Sequence, residues 1–157
     1  MSSSEFQIEI QDDVPVPEGA VALLATAVSH TLTHQQIAPP AQLTLLLTDD
    51  KTIQQLNRNY RQVNAPTDVL SFPDGDILPG TNTPYLGDIA ISVPYAAHQA
   101  AQTGHDLAAE LQLLAIHGTL HLLGHDHGEP EEKATMWAAQ QTILDQLGLS
   151  HVTPTEA

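Results

Sequence analysis

A chain of 157 residues with 41% hydrophobic content is sized for one domain with a real core, which excludes wholesale disorder. Nineteen acidic residues against four basic ones give a net charge of −15, which taken alone argues against a nucleic-acid binder and against docking on anionic membranes. Cysteine is absent, so disulfides are excluded and any metal site must use His and carboxylates.

Met1 to Ile10 has neither the basic nor the apolar segment of a secretory leader, and no apolar run approaches the roughly 18 residues of a membrane helix. A cytoplasmic location with no membrane partner is expected. Phe6 to Ile10 alternates apolar and polar residues, the pattern of a half-buried strand. Pro15 and Pro17 end it and lead into a helix from Glu18 to about His34. Pro39-Pro40 breaks the chain, and Leu43 to Thr48 is an apolar run of strand length. Thr48-Asp49-Asp50 offers N-caps for a helix through about Tyr60.

Residues 62–67 form a loop, Asp68 to Phe72 a strand closed by Pro73, and 73–84 a Gly/Pro/Asp/Asn loop. Tyr85 to Ser92 is another strand. Ser92 with Pro94 starts a helix that runs to about Thr103 and stops at Gly104. Leu107 to about Leu123 is apolar on nearly every side, so it is expected to be a buried central helix. An amphipathic closing helix spans Glu129 to about Leu147, and the tail 148–157 reads as flexible. The fold expected is a single compact α+β domain over residues 1–157. It comprises a small mixed sheet of about four strands packed with about five helices, with the chemistry on the central helix.

That chemistry lies in His117-Gly118-Thr119-Leu120-His121-Leu122-Leu123-Gly124-His125-Asp126-His127. His117 and His121, four apart, share one helix face and can reach one ion. Gly124 lets the chain turn back through a left-handed conformation, so that His127 can supply a third ligand. Three neutral imidazoles and an open position make a catalytic zinc-type site, whereas structural zinc sites are usually Cys-rich. The three His and the Gly fall in register with the extended zinc-protease pattern H-E-x-x-H-x-x-G-x-x-H, but its general-base Glu is replaced by Gly118. The peptidase reading loses its proton carrier there. His30, His34, His98, His105 and His151 read as surface residues.

The same segment resembles the signature of the YbeY family, bacterial rRNA maturation factors and single-strand-specific endoribonucleases. Two further blocks agree. One is Leu56-Asn57-Arg58-Asn59-Tyr60-Arg61 followed by Pro66-Thr67-Asp68-Val69-Leu70-Ser71-Phe72-Pro73, and the other is Leu86-Gly87-Asp88-Ile89-Ala90-Ile91-Ser92. The resemblance implies a compact α+β fold, one zinc-like ion on His117, His121 and His127, and a functionally required arginine at Arg61. It also implies hydrolysis of RNA phosphodiesters in small-subunit ribosomal RNA maturation and ribosome quality control. Ribosomal RNA, the small subunit and ribosomal or assembly proteins are the implied partners.

A tris-His metal can bring a bound water near neutral pKa, and Arg61 can clamp the phosphate. The catalytic set is therefore Arg61 with the three His. Arg58 and Ser71 join Arg61 as candidate substrate contacts. Asp126 is a base or an outer partner for a ligand His, and Asp88 could orient a ligand imidazole. His125 is an acid/base or a surface residue. Two alternatives stand beside the nuclease: a zincin-like peptidase or amidase, and a non-enzymatic ribosome-assembly factor with a structural metal. Lys51, Arg58 and Arg61 lie close in sequence, with Lys133 elsewhere. The positive charge is thus expected to gather at one cleft, giving weak, salt-sensitive RNA affinity and dependence on partners for targeting.

Overall fold

In the computed structural model, which describes residues 6–77 and 79–153, the N-terminal alternation forms strand β1 (Phe6–Asp12). Three further strands follow: β2 (Ala41–Thr48), β3 (Val69–Pro73) and β4 (Tyr85–Ser92). Their order across the sheet is β1-β2-β4-β3, with β1, β2 and β4 parallel and β3 antiparallel to β4. Parallel neighbours need long crossovers. Helix α1 (Ala20–His34) connects β1 to β2, and helix α2 (Asp50–Arg61) with β3 connects β2 to β4. β3 is thereby left at the sheet edge.

Period-two burial on β2 divides the sheet into two faces. Leu43, Leu45 and Leu47 are fully buried against Leu24, Val28 and Leu32 of α1 and against the central helix α4 (Leu107–Leu122). Leu46, from the alternate set, packs on the opposite face with Ile53 and Leu56 of α2 and with Leu70, Phe72 and Ala90. Asp49 caps α2 by accepting from the Thr52 N–H at 2.9 Å, as its sequence position predicts.

Helix α4 is buried on two sides, which explains its lack of a polar stripe. Leu111, Leu114 and Ala115 pack toward the sheet cluster. Leu113, Ile116 and Leu120 pack against Met136, Ile143 and Leu144 of helix α5 (Pro130–Gln146). Each fully buried Leu or Ile contributes about 1.5–3 kcal/mol. Helix α3 (Val93–Thr103) closes the sheet side through Val93 and Ala96.

Three expectations need correction. Helix α1 begins at Ala20 and not Glu18, because Gly19 has φ +83°, a left-handed conformation outside the helix. The tail is packed as far as the description reaches. Leu149 and Val152 are buried in the α4–α5 cluster, and the Leu149 N–H donates to the Leu144 carbonyl at 2.8 Å. Residues 154–157 lie outside the described residues. His105 is no surface residue either. Its side chain is 3% exposed and is paired with the buried Glu110 carboxylate, which answers part of that group's desolvation. Among the described residues no helix is long and apolar enough to cross a membrane.

Candidate metal centre

The open flank of α4 carries His117 and His121. Four residues apart, they stack one turn over the next, with Nε2 atoms 3.2 Å apart and ring centroids 4.7 Å apart. The helix then ends in a Schellman motif. The Gly124 N–H donates to the His121 carbonyl, the His125 N–H donates to the Leu120 carbonyl, both at 3.0 Å, and Gly124 has φ +100°. This reversal is the one its glycine predicts. The Asp126 carboxylate accepts from the His127 N–H at 2.8 Å and fixes the next turn. His127 is so brought back over the helix, its ring centroid 5.1 Å from His121 and 5.4 Å from His117. One ring nitrogen from each of the three lies within 4.8 Å of the others.

These residues fit a metal ion. Ligands about 2.0–2.1 Å from a tetrahedral ion stand roughly 3.3 Å apart, close to the 3.2 Å between His117 and His121. Burial, then the neighbouring His117 and His127, lowers the pKa of His121 to about 4. Burial also lowers that of His117, against the raising effect of its hydrogen bond to Gln140. Both imidazoles are therefore neutral at physiological pH, the form that ligates.

Helix α5 holds the cluster from outside. The Gln140 side chain, 1% exposed, places Oε1 3.0 Å from His117 Nδ1. An N–H at Nδ1 donates there, and the lone pair of Nε2 faces the cluster. Trp137 stands edge-on to His117 and His127 at 5.7 and 5.3 Å, and Lys133 Nζ lies 5.4 Å from the Trp137 ring. Sequence reasoning missed Gln140 and Trp137. A signal for Gln140 existed, since it is a polar residue on the stripe with Met136, Ile143 and Leu144.

The three His open onto a cleft of about 560 Å³. Arg61, at the end of α2, lines it, as do Ser71 and Asp126. Ser71 Oγ donates to the Gly118 carbonyl at 3.0 Å, tying β3 to α4. His125, also at the cleft, has Nε2 2.7 Å from Gln35 Oε1. Asp68 lines the cleft as well, its carboxylate accepting from the Val69 N–H and the Gln99 amide. No role was read for it from sequence.

Two anticipated site residues stand elsewhere. Asp88 points to the α2 face of the sheet, where it accepts from the Tyr85 hydroxyl. Strand alternation sends it there, because its neighbour Ile89 faces Gly118 of α4. It orients no ligand His. Arg58 is exposed on α2 and does not line the cleft, being one turn back from the helix end that delivers Arg61. The expected gathering of cations is altered too. Lys51 is at the far end of α2, while Lys133 flanks the His cluster through Trp137.

Residues 7–148 match the family model for endoribonuclease YbeY. The chain belongs to the YbeY family. It is 46% identical to the endoribonuclease YbeY of Roseiflexus sp. (strain RS-1), over 96% of this chain and 98% of the relative. It is 44% identical to that of Moorella thermoacetica, over 88% of this chain and 94% of the relative. The solution structure of TM1509 from Thermotoga maritima shares the fold, with TM-score 0.58 and 20% identity over 96% of this chain and 99% of that one. The α+β architecture with a four-stranded mixed sheet among the described residues is thus that of the family expected from the three sequence blocks.

Proposed function

We propose that this protein is a zinc-dependent, single-strand-specific endoribonuclease that matures small-subunit ribosomal RNA in the cytoplasm, in contact with the small ribosomal subunit or its assembly proteins. The observation that carries the reading is one cleft shared by three converging imidazoles and a guanidinium, in a chain of the YbeY family. His117, His121 and His127 would hold the ion, which supplies an acidified water and a Lewis acid when bound. Gln140 fixes the orientation of His117. Arg61 binds the scissile phosphate and offsets charge on its non-bridging oxygens. Asp126 acts structurally, holding the turn that presents His127.

The peptidase alternative loses further support from packing. A Cβ at position 118 would stand 2.8 Å from Ile89 Cγ2 and 3.2 Å from Ser71 Oγ, leaving no room for a catalytic Glu. The test is cleavage of matched single- and double-stranded RNA by zinc-loaded protein, with chelator and Arg61→Ala as controls. Cleavage restricted to the single strand, stopped by chelator and slowed by about 10²–10³-fold in the variant, is expected. Intact RNA with zinc-loaded protein would overturn the reading.

A further inference from the structure

The sheet edge β3 has a second hollow on its other side. Val69 and Ser71 face the metal cleft, whereas Phe72, by alternation, faces a groove of about 580 Å³ under α2. Leu46 and Leu56 also line this groove, and Thr44 and Asp88 form a polar end. Tyr60 stands at it 67% exposed, the highest exposure among the described large hydrophobic residues, with its ring edge-on to Phe72 at 5.4 Å. Its sequence neighbour is Arg61, which lines the cleft.

We propose that Tyr60 and Phe72 form a stacking subsite for an unpaired nucleobase, one step along the strand from the phosphate held at Arg61. This rests on the endoribonuclease reading and adds the site that grips the substrate outside the reacting centre. Cleft and groove flank the same edge strand, with Arg61 and Ser71 at one and their sequence neighbours Tyr60 and Phe72 at the other, so a single nucleic-acid strand passing round the β3 edge reaches both. The carboxylate of Asp88 repels a phosphate in the groove, which leaves the uncharged base as the part that enters. Every base offers a π-face, so the subsite is tolerant of sequence. A base inside a duplex is already stacked and paired and would have to be extruded first. The subsite therefore supplies a physical origin for single-strand preference.

The test is anisotropy titration of a short single-stranded RNA with cleavage-resistant phosphorothioate linkages, and of its duplex, with zinc-loaded wild type, Tyr60→Ala and Tyr60→Phe. An oligonucleotide carrying 2-aminopurine reports stacking directly. Expected are about tenfold weaker single-strand binding for Tyr60→Ala, unchanged duplex binding, loss of 2-aminopurine quenching, and recovery of both signals in Tyr60→Phe. Tyr60 is exposed, so the alanine variant is expected to fold, which circular dichroism checks. If wild type binds RNA and Tyr60→Ala binds it equally well, the subsite is overturned while the nuclease reading stands. That holds also if the variant instead loses affinity for small ribosomal subunits, which would make the groove a protein-docking face. If wild type binds no single-stranded RNA, both fall.

Discussion

The Gln140 amide oxygen lies 3.0 Å from His117 Nδ1, across the interface between α5 and α4. The contact joins two parts of the site that lie 23 residues apart in sequence. It also decides which His117 nitrogen keeps a lone pair for the cluster. Gln140→Leu removes the acceptor at nearly constant volume, so the ring is free to turn and to change tautomer. Metal affinity is expected to fall by roughly 10–100-fold, read by chelator competition, with helix content unchanged. Gln140→Glu keeps an acceptor and is expected to retain more of the affinity than Gln140→Leu. Equal metal binding in all three proteins would show that the hydrogen bond does not position His117.

Gly118 carries a second prediction. It is where β3 and β4 approach α4, and any side chain meets Ile89 and Ser71. Gly118→Ala must push the helix off the sheet by a few tenths of an ångström or displace Ser71 from the Gly118 carbonyl. Helix propensity alone favours Ala by about 1 kcal/mol, but overpacking costs about 1–3 kcal/mol. Urea denaturation is therefore expected to show net destabilisation, with weaker metal binding because His117 and His121 flank the displaced turn. Gly118→Glu is expected to be worse and to hydrolyse no casein. A stable, proteolytically active Gly118→Glu variant would refute the packing account and revive the peptidase reading.

The elements and the ligand triad were legible because their signals are local. Alternation marks β1, an N-cap opens α2, a cap and a glycine bound α3, a glycine ends α4, and the spacing of His117, His121 and His127 around Gly124 follows from helix geometry. Asp88 was misplaced because a strand carboxylate's face depends on which side of the sheet the partner helix takes, a tertiary fact. Gln140 and Trp137 were missed because their shared partner His117 is about twenty residues away, on another helix. Lys133 was set apart from the site for the same reason, whereas Lys51, on the same helix as Arg61, is ten residues and about 15 Å from it along the helix axis. The packed tail was missed because Leu149 and Val152 are two isolated apolar residues among turn formers.

Acid is expected to weaken the metal-free protein through its His pair. The folded pKa of His121 is lowered to about 4, and that of His117 is lowered, both first by burial. The unfolded chain, with His near its usual 6.5, binds protons that the folded chain refuses. Stability contributed by the neutral forms is present above about pH 6.5 and is lost progressively as pH falls toward 4. Glu110 acts in the opposite sense. Burial raises its pKa, so the folded protein takes up a proton more readily than the unfolded chain there. Thermal melts in chelator across pH 4–7 should slope downward into acid for the wild type and less steeply for His121→Leu. Parallel slopes would exclude His121 as a source of the acid sensitivity.

The distribution of charge sets the last expectation. Of four cations in a chain of net charge −15, Arg61 lines the cleft and Lys133 flanks the His cluster across Trp137. Lys51 sits in the first turn of α2, on the order of 15 Å from Arg61 along the helix. Two phosphates within reach of Arg61 and Lys133 imply a slope of about −1.4 in log affinity against log salt for single-stranded RNA, at about −0.7 per phosphate. Lys133→Ala should reduce the slope by about 0.7, and Lys51→Ala should leave it unchanged. Anisotropy titrations at a series of potassium chloride concentrations read both. The metal-bound His cluster attracts phosphate too, but it is common to all three proteins and cancels in the differences. A flattened slope for Lys51→Ala with none for Lys133→Ala would place the phosphate path along α2, and not between α2 and α5.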